Sequence, residues 1–166
     1  MKRKLKGFTL IELIVVIAII GVLSSILVPS MIGYVKKAKI QGANSTASSF
    51  HRALSAYIHD LGVYDSSIPE GIHTVNNGTY TADDNPMEGF GDAMKDYFNE
   101  IDQIDGAYYI ISGECVAVSI KRNNYYGTYP AVFSAKNWDN YESRCTSSTE
   151  ALKIIMELKN IEESEG

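Results

Sequence analysis

The chain has 166 residues, 45% hydrophobic and 21% charged, which suits one domain of ordinary size with an anchoring segment. Twenty acidic residues against 15 basic ones give a net charge of −5, and four of the basic ones crowd the start as Lys2, Arg3, Lys4 and Lys6. The acidic remainder argues against non-specific binding to nucleic acid or anionic lipid, so no nucleic-acid partner is expected.

After the basic start, residues 8–28 form a 21-residue apolar run with a single charge, Glu12. About 20 apolar residues cross a bilayer as a helix. Positive charge stays on the cytoplasmic side, so the rest of the chain is expected outside. A carboxylate in such a run costs about 2.5–3.5 kcal/mol even on lenient insertion scales. It asks for a cationic partner, and no side chain between residues 8 and 35 supplies one. A secretory signal fits poorly, because the run exceeds the usual apolar length of about 7–15 residues and no A-x-A-like site follows it. A plain membrane anchor accounts for the length and the flanking charge but leaves Glu12 idle.

The stretch Lys6-Gly7-Phe8-Thr9-Leu10-Ile11-Glu12-Leu13 resembles the class III signal of type IV prepilins and the related pseudopilins. The resemblance implies a leader at residues 1–7, cut by a prepilin peptidase between Gly7 and Phe8, and methylation of the new Phe8 amine. It places Glu12 fifth after the cut, where it would accept the Phe8 amine of a neighbouring subunit during filament assembly. Each group would then neutralise a charge otherwise buried alone. Removing the leader leaves 11 basic against 20 acidic residues, a net charge of −9.

Residues 8 to about 61 read as one long helix in two halves. The transmembrane and assembly half, 8–35, is apolar all round and holds Gly21 and Pro29. Pro29 lacks an N–H and crowds the carbonyl four residues back, so a kink is expected. In pilins a glycine and a proline so placed border a segment able to unwind, which the resemblance carries to Gly21 and Pro29. Lys36, Lys37 and Lys39 read either as a second membrane-edge cluster or as a solvated helix turn. The amphipathic half, 36–61, repeats Ala43, Ala47, Phe50, Leu54, Tyr57 and Leu61 at steps of three and four.

The head is expected to span 36–166. Within it, residues 62–106 read as a long connecting loop, with a short strand near Thr79–Thr81 and a short helix over about 92–104. Residues 107–135 read as an antiparallel sheet. Its strands are 107–111, 114–121 and 129–135, with turns at Ser112-Gly113 and over 123–127. On the second strand, Cys115, Ala117 and Ser119 are expected on one face. Residues 136–166 hold Cys145, the capping-box signature Ser147-x-x-Glu150, and a last helix. The predicted fold is α+β: a long helix on a small antiparallel sheet with a C-terminal helix, as in the pilin plan. Twenty-one residues follow Cys145, which departs from pilins whose bridge lies near the C-terminus.

Cys115 and Cys145 both fall in the exported part. They fit one disulfide closing a loop of about 30 residues, worth roughly 3–4 kcal/mol in the chain-entropy model, against the alternative of two unpaired thiols. Catalytic signatures are lacking: there is no G-x-S-x-G, H-E-x-x-H or phosphate-binding loop. His51, His59 and His73 do not form a ligand set. Asp83, Asp84, Glu88 and Asp92 do not match the twelve-residue calcium loop; a solvated loop is the plainer reading, although some pseudopilins bind calcium in this general region. No metal or cofactor is expected. Tyr108, Tyr109, Tyr125, Tyr126 and Tyr129 read as sheet packing or as a carbohydrate-facing surface. Asn44-Ser45-Thr46 and Asn77-Gly78-Thr79 fit the N-glycosylation pattern.

The resemblance implies a structural, non-enzymatic subunit of a type IV pilus, held first in the cytoplasmic membrane with its head outside and later found at the cell surface, in adhesion and motility. Its implied partners are further copies in a helical filament, the prepilin peptidase, and the assembly platform with its ATPase. The alternative is a pseudopilin or minor pilin of a type II secretion or DNA-uptake apparatus. An anchored enzyme or solute-binding module is the reading from a different class.

Overall fold

The computed structural model describes residues 7–63, 69–77, 79–82 and 90–161. Residues 1–6 of the leader, the acidic residues Asp83, Asp84 and Glu88, Gly78 and the last five residues lie outside the described set. The chain divides into two compact units, Met1–Lys36 and Lys37–Gly166.

One helix, α1, covers Leu10–Val63 and continues through Gly21 and Pro29. In the first unit its large apolar side chains are exposed, among them Leu10, Ile17, Val22, Leu27 and Ile32. From Ile40 onward the same helix buries one stripe, comprising Ile40, Ala43, Ala47, Phe50, Leu54 and Tyr57. The 3.6-residue period of that stripe is what the sequence pattern demanded.

The second unit continues with β1 (Gly71–Asn76), β2 (Thr79–Ala82), α2 (Phe90–Lys95), a 3-10 turn at Ile101–Gln103, β3 (Asp105–Ile111), β4 (Glu114–Arg122) and β5 (Tyr125–Tyr129). Two further helices follow, α3 (Trp138–Tyr141) and α4 (Ser148–Lys159). The five strands form one antiparallel sheet in the order β2-β1-β3-β4-β5. Tyr108, Ile110, Val118 and Ile120 pack with Phe50 and Leu54 of α1. Ala107, Tyr109 and Ala117 pack with Leu152, Ile155 and Met156 of α4. Alternate residues of the central strands thus serve two cores, as the strand period of two requires.

The capping signature before α4 is realised: Glu150 N–H donates to Ser147 Oγ at 3.1 Å. The helix closes on Asn160 at φ 52°, with Ile161 N–H donating to Met156 O at 2.9 Å.

Four expectations need correction. Residues 71–76 are a strand rather than loop, because His73 and Val75 are buried and pair across to β3. The helix expected over 92–104 is the short α2 followed by the separate 3-10 turn. The strand expected at 129–135 is Tyr125–Tyr129 instead. Asn123 takes φ 57°, so residues 123–124 suffice for the turn and Tyr125 already pairs with Arg122.

The fourth correction concerns the cysteines. Tyr109 pairs with Ala117 while Ile110 pairs with Cys115, so Val116 is the extra residue of a β-bulge. The bulge turns Cys115 to the face of Val118 and Ile120 rather than that of Ala117. Cys145 packs in another cluster, with Ile40, Tyr126, Phe133 and Trp138. Cys115 sits beside His51, which hydrogen-bonds its carbonyl. Ile40 and His51 are eleven residues apart on one helix, roughly 16 Å at about 1.5 Å per residue. Both thiols are free and buried, and the expected Cys115–Cys145 bridge is not formed.

Candidate assembly site

Gly7, Phe8 and Thr9 precede α1 and belong to no helix or strand. Gly7 is exposed and Phe8 is 86% exposed. A Cβ placed on Gly7 would meet nothing within 4 Å. The chain's own packing therefore does not require glycine there.

Thr9 is the residue immediately before α1, and Glu12 lies in the helix's first turn. Glu12 Oε2 accepts from Thr9 N–H at 2.8 Å and from Thr9 Oγ1–H at 2.7 Å. Glu12 N–H approaches Thr9 Oγ1 at 3.3 Å in return. This is a capping box, in which the helix's unpaired first N–H groups and the carboxylate satisfy each other. The positive end of the helix dipole adds to the attraction. Charge alone asks for a cation here, whereas Thr9-x-x-Glu12 is the same capping signature as Ser147-x-x-Glu150 and supplies a neutral partner. Glu12 Oε1 has no hydrogen-bond partner among the described residues. The carboxylate is thus held by one oxygen and open at the other, which suits it to receive an ammonium group from outside the chain.

Ser25 Oγ donates to Val22 O at 2.7 Å and Ser30 Oγ to Ile26 O at 3.2 Å. The two hydroxyls on either side of Pro29 are thereby satisfied within the helix, which suits an apolar setting.

The other candidate groups separate in space. His51 Nε2–H donates to Cys115 O at 2.8 Å, and its ring stacks on Tyr129 at 3.8 Å. Burial, ahead of the neighbouring Arg52 charge, holds its pKa below the ordinary 6.5, while the Cys115 carbonyl acts the other way. His73 stacks on Tyr108 and hydrogen-bonds Pro69 O at 2.7 Å. His59 lies 3.6 Å from Asp60. Asp92 pairs with Lys95 at 3.3 Å. Among the described residues, no three His, Cys, Asp or Glu side chains converge as a metal site. Tyr108, Tyr109 and Tyr126 are core residues, and Tyr125 and Tyr129 lean on Trp138 and His51. Burial lifts the Cys115 thiol to about 12 and Cys145 to about 11.

The described residues thus include one helix long and apolar enough to cross a membrane, preceded by the exposed Gly7–Phe8 bond and opened by a capped acid. The family model described as "Prokaryotic N-terminal methylation motif" matches residues 2–28. The chain is 41% identical over 81 residues to the fimbrial protein EcpC of Eikenella corrodens, covering 48% of this chain and 53% of that one. It is 41% identical over 76 residues to the type II secretion system core protein G of Aeromonas hydrophila, covering 46% and 52%. It is 32% identical over 89 residues to the type IV wide pilus major component PilA4 of Thermus thermophilus, covering 54% and 56%. The chain spans about half the length of these curated relatives. No solved structure matches. The N-terminus is a prepilin-type methylation motif, and the relatives are type IV pilins and a type II secretion pseudopilin.

Proposed function

We propose that the chain is the precursor of a structural subunit of a type IV pilus, with an architectural and not a catalytic role. The apolar half of α1 anchors it in the cytoplasmic membrane with the head outside. A prepilin peptidase cuts at Gly7–Phe8 and methylates the Phe8 amine. Methylation keeps the charge, so the amine still pairs with a carboxylate. The apolar surface then passes from lipid into a core of identical helices. Both settings are apolar, which makes the transfer nearly neutral and leaves the work to an assembly platform and its ATPase.

The observation that carries this reading is the arrangement of Glu12: one oxygen is held by Thr9 and the other has no hydrogen-bond partner among the described residues, in the part of α1 before Lys36 whose large apolar side chains are exposed. An incoming Phe8 amine from another copy would complete the carboxylate and set the register. Gly21 and Pro29 would border the part of the helix that loosens in the fibre. Imaging of cells with and without the gene tests the reading: surface fibres containing this protein are expected, and their absence from producing cells counts against it.

The similarity to type II secretion core protein G supports a second reading, a pseudopilin of a short envelope-spanning filament. Labelled fibres extending well beyond the cell surface exclude it.

A further inference from the structure

Within the second unit, α1 and β5 meet backbone to backbone. A Cβ on Gly127 would fall 1.9 Å from the carbonyl carbon of Ala43, 2.0 Å from its oxygen and 2.4 Å from Asn44 N. Only glycine lets the two backbones meet this closely. The neighbouring Asn44 side chain bridges two strand-side backbone groups: its Nδ2 donates to Phe133 O at 2.9 Å, and its Oδ1 accepts from Thr128 N–H at 2.9 Å. β5 is an edge strand, and Asn44 takes up an N–H that no further strand is there to receive. One half-turn on, Thr46 Oγ1 accepts from Arg122 Nη1 at 2.6 Å. Thr128 Oγ1 in turn accepts from Val132 N–H at 2.9 Å, which ties down the segment after β5.

Three anchors thus fall within one turn of helix, at residues 43, 44 and 46. Just before them the helix is poorly supported. Ile40 is its first buried residue, and Met31, Ile32, Tyr34 and Val35 are exposed. Gly33 has nothing near it, and glycine costs a helix about 1 kcal/mol relative to alanine.

We propose that the Asn44–Gly127 seat is a latch that fastens α1 to the head and stops unwinding of the helix from spreading beyond Ile40. Asn44 and Gly127 are its positioning residues. The latch itself is a property of one chain; its use rests on the filament reading, in which tension along the helical core would reach the head through residues 43–46. The amide of Asn44 is committed to this seat and so is not open as a glycan acceptor in the folded chain.

The test is residue-resolved amide hydrogen exchange on the full chain in detergent micelles. Protection is expected to step up between residues 40 and 46. Asn44→Leu keeps the volume but loses both bonds, and Gly127→Ala forces the backbones apart. Each is expected to speed exchange at residues 41–47 by about tenfold or more while residues 105–120 change little. Asn44→Asp, which keeps the acceptor alone, should fall between. Should Gly127→Ala fail to fold, the Asn44 pair carries the test. Unchanged exchange at 41–47, or an equal acceleration throughout the head, overturns the latch. Neither outcome touches the fibre reading, which imaging decides separately.

Discussion

The two halves of α1 are continuous in backbone and opposite in surroundings. After Ile40 the helix buries a residue at nearly every turn, and its apolar stripe is explained by the sheet it meets. Before Lys36 its large side chains are just as apolar and are exposed. The difference teaches where the information for each half lies. The head half is specified by contacts inside the chain. Contacts inside the described chain do not specify the N-terminal half; under the proposed function lipid and other copies would do so. Its charged device, the Thr9–Glu12 box, is satisfied locally through one carboxylate oxygen, while the other has no hydrogen-bond partner among the described residues.

Substitutions should separate the halves. Glu12→Val is expected to insert in the membrane as well as wild type or better, and to leave the head's melting temperature unchanged, yet to abolish fibre formation when it is the sole subunit. Wild-type fibre yield from such cells would break the charge-pairing account. Thr9→Val removes the hydroxyl but keeps the N–H, so a smaller loss of fibre is expected in the same assay.

Phe50→Ala should do the reverse. Phe50 is fully buried against Tyr108 and Phe98, so the expected cost is about 3–5 kcal/mol, read by chemical denaturation, with membrane insertion untouched. A cost below about 1 kcal/mol would mean that the head core is not packed as described.

Thiol chemistry probes the head alone. With burial lifting their pKa to about 12 and about 11, Cys115 and Cys145 should resist alkylation in the native protein at about pH 8. Both should react fully once the unreduced protein is denatured. Failure to react after denaturation would reveal a disulfide.

The smallest effect concerns acid. Burial holds the His51 pKa below its unfolded value of 6.5, so the unfolded chain takes up a proton first. The contribution is fully present above about pH 6.5, falls as pH drops through that value, and levels off below the folded pKa. His51→Gln should flatten the pH dependence of stability over that window; an unaltered slope would assign it to other groups.

Much of this was legible in the sequence, for identifiable reasons. The stripe from Ala43 to Leu61 has a strong period and lies against a single sheet, so pattern and burial agree. The Ser112-Gly113 turn was legible because few residues take its φ values of 52° and 75°. Gly127 misled, because a glycine beside two asparagines and two tyrosines reads as a turn, whereas this one is spent on a backbone contact with Ala43 that sequence does not display. The bulge at Val116 was equally hidden: one inserted residue moves Cys115 to the other face without leaving a compositional trace. The reading of Gly7, Phe8 and Glu12 as assembly residues rests on the motif, which lies within the matched residues 2–28. Thr9 becomes legible only from the helix's unpaired first N–H groups, which a reading by charge does not display.

The account turns on a cut that converts a four-cation leader into one amine placed to answer Glu12. The most direct measurement is the intact mass and N-terminal sequence of the protein purified from producing cells, with Gly7→Leu as the control. The account expects a chain that begins at Phe8 and carries one methyl group on its amine, and an uncut, heavier Gly7→Leu product. A wild-type protein that retains residues 1–7, or that begins at any other residue, would contradict it.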